Sequence, residues 1–184
     1  WLPATRELMA QAAVEGLPTL GICLGAQLLA VATGGRVQVA APPGRESGVV
    51  EIRPRPAAAE DPLLGALAAG VLADHPGSAG VLALMPSMHA DAVVELPGSA
   101  VWLASSALYP FQAFRVGSAW GVQFHPEVSP ETFAAWAALH PDVDGDAVLA
   151  QFRAHDEEIV RGGRAIAEAF AALVRTGVPL AAAG

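Results

Sequence analysis

Cys23 is the only cysteine in this 184-residue chain, and it stands in the run Gly21, Ile22, Cys23, Leu24, Gly25. Thr19 to Ile22 reads as a short buried strand and Leu24 to Thr33 as a helix stopped by Gly34 and Gly35, so the thiol falls on the turn between them. A nucleophile on a sharp strand-to-helix turn has its reactive atom pushed out of the fold, and small flanking residues let the backbone turn that tightly. Free backbone donors and the dipole at a helix start favour the thiolate, the form that attacks a carbonyl carbon. Taken alone, the pattern G-x-C-x-G fits a buried cysteine acting as a small hydrophobe equally well.

A second segment supplies the proton chemistry that a thiol nucleophile needs. Residues 121 to 127 read Gly, Val, Gln, Phe, His, Pro, Glu. Trp120 to Phe124 can form a buried strand and Pro126 prevents its continuation, which places His125 at the strand's end. A histidine there can take the proton of Cys23 and hand it to a leaving group, provided Glu127 orients and polarises the ring. Singly, His125 reads as an ordinary hydrogen-bonded histidine and Glu127 as a solvated carboxylate near a helix start.

Together the two segments carry a resemblance. Gly-Ile-Cys-Leu-Gly-Ala-Gln and Gly-Val-Gln-Phe-His-Pro-Glu, in that order, resemble the nucleophile and histidine–glutamate segments of class I glutamine amidotransferase domains. The similarity runs through most of residues 1 to 139 and is closest to the glutaminase half of GMP synthase and its stand-alone relatives. It implies that Cys23 is the nucleophile, His125 the general base and acid, and Glu127 its support. It also implies that Leu24 gives a backbone N–H to the oxyanion hole and that Gly25 and Gln27 belong to the glutamine-binding segment. Met88, His89, Ala90 and Asp91 resemble the family's Ser-His-Gly-Asp segment, whose backbone helps hold the substrate. Met and Ala replace two of its residues, so His89 and Asp91 are the weaker candidates. From the residues alone, His89 reads equally as a loop residue near the site, and Asp91 as a turn-forming carboxylate before the strand Ala92 to Leu96.

The implied activity is hydrolysis of the glutamine side-chain amide through a cysteine thioester, with the ammonia passed to a synthase on a separate chain. No cofactor is implied. Two other readings stay open: a γ-glutamyl hydrolase or peptidase of the same superfamily, and a non-catalytic binding domain. The implied fold is α/β and flavodoxin-like, a mainly parallel sheet with helices on both faces and an antiparallel addition. Family members carry a first strand and a Gly-rich loop ahead of the helical pattern Ala4 to Val14, and that loop supplies a second oxyanion donor. These residues hold neither, so residues 1 to 184 are expected to be one such domain truncated at its amino terminus. One oxyanion donor contributes roughly 3 to 4 kcal/mol to a transition state.

The elements that must position these side chains alternate along the chain. Strands are expected at Arg36 to Ala40, Gly48 to Arg53, Val81 to Met85, Ala92 to Leu96, Val101 to Ser105, Phe111 to Val116 and Trp120 to Phe124. Asp61 to Ala69 reads as a short helix capped by Asp61 with Pro62 in its first turn, and Asp74 to Gly80 as a loop. Ser129 and Pro130 start a helix that continues over Thr132 to Leu139, only two residues beyond Glu127. Two further helical runs follow, Ala147 to Val160 and Arg164 to Val174, broken at Gly162 and Gly163, and Pro179 to Gly184 reads as a frayed end.

Composition bounds the rest. A hydrophobic content of 53% supplies one domain with a substantial core. The net charge is −8, every basic residue is arginine, and no basic stripe appears, which argues against a nucleic-acid partner. Arg6, Arg36 and Arg45 read as solvated surface groups. One cysteine forms no internal disulfide and no cysteine-based metal site, which fits a reducing compartment and a cytoplasmic location. His75, His89, His125, His140 and His155 lack the spacing of a zinc site, and Arg, Glu or Pro interrupts every apolar run of membrane length.

Overall fold

A computed structural model of the chain describes residues 1–68 and 80–176. His75, the expected loop at residues 74–79, the end of the helix at Ala69 and the tail Pro179 to Gly184 lie outside the described residues.

Helix α1 (Leu2–Glu15) has Pro3 in its first turn and ends at Gly16, whose φ of 74° forms a left-handed cap. Strand β1 (Thr19–Ile22) and helix α2 (Leu24–Ala32) follow. Then come strands β2 (Arg36–Gln38), β3 (Glu46–Pro54), β4 (Ala83–His89), β5 (Ala92–Glu95), β6 (Val101–Ser105), β7 (Ala113–Val116) and β8 (Ala119–Val122). Helices α3 (Pro130–Ala137), α4 (Gly145–Ala154) and α5 (Asp156–Thr176) close the described chain.

The sheet corrects the expectation of a mainly parallel, flavodoxin-like arrangement. Its order is β1-β8-β7-β6-β3-β4, and only β1 and β8 run parallel. The β8–β7, β7–β6, β6–β3 and β3–β4 pairs are all antiparallel, and β2 and β5 form a separate antiparallel pair. The reason lies in the connections. Gly117, at φ 57°, closes a tight hairpin between β7 and β8, and short links of this kind force neighbouring strands antiparallel. The short Val-rich strands read from the sequence as a decoration are therefore most of the sheet.

Helices cover both faces. On one, Ala26, Leu29 and Ala30 of α2 pack with Phe114, Val116 and Ala119, and Met9 and Ala13 of α1 lie against them. On the other, Trp120, Val122, Ile52, Met85 and Leu103 pack with Ile166 and Leu173 of α5. A third cluster joins α3 and α4 to the site end of the sheet through Met88, Val128, Phe133, Val148 and Phe152.

Asp61 does more than cap. Its carboxylate accepts from the Leu63 and Leu64 amides, from Trp120 Nε1 at 3.0 Å and from Arg115 Nε at 2.9 Å, so a fully buried carboxylate ties its own turn to β7 and β8.

The carboxy-terminal helices also depart from expectation. The break falls at His155, and α5 runs through Gly162 and Gly163 without interruption. A Cβ on Gly163 would stand 2.4 Å from the Pro126 carbonyl oxygen, and one on Gly162 would stand 2.7 Å from Met85 Cε. These glycines let the helix approach the turn that carries His125 and Glu127; they do not end it.

Candidate active site

The turn between β1 and α2 holds Cys23 at φ 48°, ψ −103°, one of two non-glycine residues with positive φ among those described. Its amide donates to the Val122 carbonyl at 2.8 Å, which pins the turn to the end of β8. Gly21 is required by contact: a Cβ there would lie 2.6 Å from the carbonyl of Gly25 in the first turn of α2. Gly25 has open space above it, with Met9 Cε 4.0 Å from a notional Cβ. The elbow thus presents the sulfur where strand and helix meet, and the Leu24 N–H lies in the first helical turn, where amides lack intrahelical acceptors.

Beyond Val122 the chain leaves its sheet neighbours in two steps. The Gln123 amide still donates to the Gln112 carbonyl, at 2.9 Å, but the His125 amide donates to Pro86 of β4, at 2.8 Å. Pro126 follows, and Ser129 caps α3 by accepting from the Thr132 amide. His125 is thereby held at the mouth of the β1–β8 pair, 8% exposed, with the Trp136 ring of α3 4.7 Å away edge to face.

The structure brings Cys23, His125 and Glu127 together. His125 Nδ1 lies 2.8 Å from Glu127 Oε1, and the ring is close enough to the Cys23 side chain for the two to influence each other's charge. Burial by itself would depress the imidazole's pKa. The hydrogen bonds to Cys23 and Glu127, with the charges of both, outweigh it and push the histidine up to about 9.

The other residues singled out from the sequence divide. Leu24 is exposed, Gln27 is buried, and a groove lined by Leu2, Pro3, Arg6, Leu24, Gln27 and Asp91 opens beside the elbow. Gln27 Nε2 donates to the Asp91 carbonyl at 2.8 Å and to Gln123 Oε1 at 3.2 Å. Met88 and His89 lie at the end of β4, paired with Ser47 and Glu46 of β3, where a loop was expected. The Met88 side chain packs into the cluster beneath α3 and α4. The His89 ring, 5% exposed, faces Asp91 O at 2.9 Å and Glu46 Oε2 at 3.2 Å. The Met88 side chain is thus taken up by the core and the His89 ring by Glu46 and the Asp91 carbonyl. Asp91 accepts from the Ala40 amide and holds a turn.

Sequence reading missed Gln123, whose Nε2 lies 3.4 Å from Cys23 Sγ, and Trp136, which backs the histidine. The signal for Gln123 was a polar side chain inside the apolar run Trp120 to Phe124. Nothing in the sequence marked Trp136. Among the described residues no group of three or more His, Cys, Asp or Glu could hold a metal ion, and no helix is long and apolar enough to cross a membrane.

Residues 3–137 match the model of the glutamine amidotransferase class-I family. The chain belongs to that family. It is 40% identical over 118 residues to a glutamine-hydrolyzing GMP synthase of Marinobacter nauticus, covering 62% of this chain and 21% of that protein. It is 36% identical over 115 residues to a glutamine-hydrolyzing GMP synthase subunit from Methanosarcina barkeri, covering 61% and 52% respectively. The chain thus matches about a fifth of the first relative and about half of the second. Crystal structures of a glutamine amidotransferase from Thermotoga maritima and one from Methylobacillus flagellatus share its fold. Both have a TM-score of 0.72 and 24% identity, covering 92% and 100% of this chain and 69% and 72% of theirs.

Proposed function

We propose that this class I amidotransferase domain hydrolyses the side-chain amide of glutamine and releases the ammonia to a synthase on a separate polypeptide. The observation that carries the reading is Cys23 on a positive-φ elbow beside His125, whose ring Glu127 holds at Nδ1 from 2.8 Å.

Sγ attacks the amide carbon as its bond to oxygen opens to an oxyanion, which the Leu24 N–H helps to stabilise. An amide nitrogen leaves poorly without a proton. The His125 imidazolium supplies one, ammonia departs, and a γ-glutamyl thioester remains on Cys23. Neutral His125 then takes a proton from water, hydroxide adds to the thioester, and glutamate leaves as the thiolate and imidazolium are restored. Glu127 orients the ring throughout and stabilises its charged form. Both protons of Gln27 Nε2 are committed to Asp91 and Gln123, so Gln27 Oε1 is left to accept from the substrate's ammonium group.

The likeness to GMP synthases, one of them a subunit of such an enzyme, supports a synthase as the ammonia acceptor. A free thiol nucleophile suits a reducing compartment, and we infer a cytoplasmic location. A coupled glutamate assay tests the activity. Glutamate release from glutamine, abolished in a folded Cys23→Ala protein and accelerated by a cognate synthase, is the expected result. Turnover of γ-glutamyl peptides with none of glutamine would assign the domain to a γ-glutamyl hydrolase.

A further inference from the structure

The nucleophile has a third neighbour besides the histidine and the elbow backbone. Gln123 is 2% exposed, its main-chain amide is fixed to Gln112, and its side chain bridges Gln27 and Cys23. The polarity of that bridge follows from chemistry. The Asp91 carbonyl can only accept, so the Gln27 atom 2.8 Å from it must be nitrogen. The same nitrogen lies 3.2 Å from Gln123, and its second proton requires an acceptor there, so the Gln123 atom facing it must be oxygen. The remaining amide terminus of Gln123, 3.4 Å from Cys23 Sγ, is therefore the NH2 group. A flipped Gln123 would set two amide nitrogens against each other in a buried site and leave the sulfur facing an oxygen.

We infer that Gln123 is a positioning residue for the nucleophile, presenting a fixed N–H to the Cys23 sulfur, with its orientation dictated through Gln27 by the carbonyl of Asp91. A donor aimed at sulfur stabilises its anionic form and disfavours the neutral thiol. The relay begins in the 88–91 segment, so the backbone of Asp91 and the charge state of the nucleophile are joined by three hydrogen bonds. It deepens the glutaminase reading, yet it can be tested without glutamine.

The experiment is alkylation of Cys23 by iodoacetamide at pH 7 and at pH 10 in the native protein and in Gln123→Leu, Gln123→Glu and Gln27→Met. At pH 7 the two Gln123 variants should react about five- to tenfold more slowly and Gln27→Met about two- to threefold more slowly, following the usual net size of one intramolecular hydrogen bond. At pH 10, where every thiol ionises, all rates should converge. Gln27→Met combined with Gln123→Leu should be no slower than Gln123→Leu alone, because the Gln27 contact acts through Gln123. In glutamine hydrolysis, kcat should fall with KM nearly unchanged. Wild-type rates at pH 7 in folded Gln123 variants would overturn the proposal, as would a slowing equal at both pH values, which reports altered access. Fully additive effects in the double variant would overturn the relay from Gln27. If the leucine variant does not fold, the uncharged, near-isosteric Gln123→Met takes its place, because a carboxylate beside the sulfur would also act through its charge. A protein inert toward glutamine that shows this alkylation pattern would keep the positioning role and remove the glutaminase reading.

Discussion

Cys23 sits at a backbone geometry that L-residues other than glycine adopt at a cost of roughly 1–3 kcal/mol. Cys23→Ala keeps that cost and Cys23→Gly removes it. Both should be inactive, and the glycine protein should unfold at higher urea, by about 1 kcal/mol relative to alanine. His125 adds a pH signature. Its pKa is raised from about 6.5 to about 9, so its contribution to stability is fully present below about 6.5 and is lost as pH rises through about 9. The same imidazolium must protonate departing ammonia, so kcat/KM for glutamine should fall on an alkaline limb near 9. Glu127→Gln removes one of the groups that hold the proton, and the limb should move down by about one pH unit. A limb that stays in place would mean that Glu127 does not tune the ring. The three residues proposed for this site were legible because each sits at a place that sequence marks: a small-residue turn, a proline after a strand, and the short turn just before the Ser129 helix cap. Gln123 was not, since its partners Gln27 and Cys23 lie far away along the chain and no local pattern announces them.

The elements were nearly all readable, and their arrangement was not. Each of the eight strands among the described residues overlaps a stretch that reads as a strand in the sequence, yet pattern alone does not say which strands pair or in which direction. That is set by connection length and by long-range contacts such as Pro86 with His125. The glycine pair in α5 shows the same limit. Two adjacent glycines read as a break, because each costs a helix about 1 kcal/mol relative to alanine. Here packing overrides propensity. Gly163→Ala gains that propensity but places a methyl 2.4 Å from the Pro126 carbonyl, and overpacking against backbone typically costs about 1–3 kcal/mol. The expected net result is destabilisation and a loss of glutaminase activity of about tenfold, since Pro126 joins His125 to Glu127. Gly162→Ala meets only the flexible tip of Met85 and should be near neutral in both. Urea unfolding and kcat measured on the two variants would separate the effects, and equal behaviour would mean that α5 does not brace the turn.

On the scale of the whole molecule, the sheet and its loops are joined near the site by a buried carboxylate that the proposed reaction does not use. Glu46, 5% exposed at the start of β3, accepts from Ser106 Oγ at 2.5 Å, Gln112 Nε2 at 2.6 Å and Ser87 Oγ at 3.2 Å, and it faces His89 Nε2 at 3.2 Å. It thus links β3, β4 and the segment between β6 and β7. Burial alone would raise its pKa, but the hydrogen bonds from His89, Ser106 and Ser87 and the nearby His89 charge outweigh that and lower it below 4.5. A depressed carboxylate contributes stability that is fully present above its unfolded value and is lost as pH falls through the folded one. Glu46→Gln keeps the shape but replaces one acceptor oxygen by a donor that faces other donors. At pH 7 the variant should be less stable by about 1–3 kcal/mol, the usual cost of leaving buried polar groups unpaired. The difference from the native protein should shrink as pH drops below about 4.5, because acid removes from the native protein the charge that the variant never had. Urea unfolding of both proteins between pH 3 and pH 7 measures this. A difference that holds constant over that range would show that Glu46 acts through its shape and not through its charge.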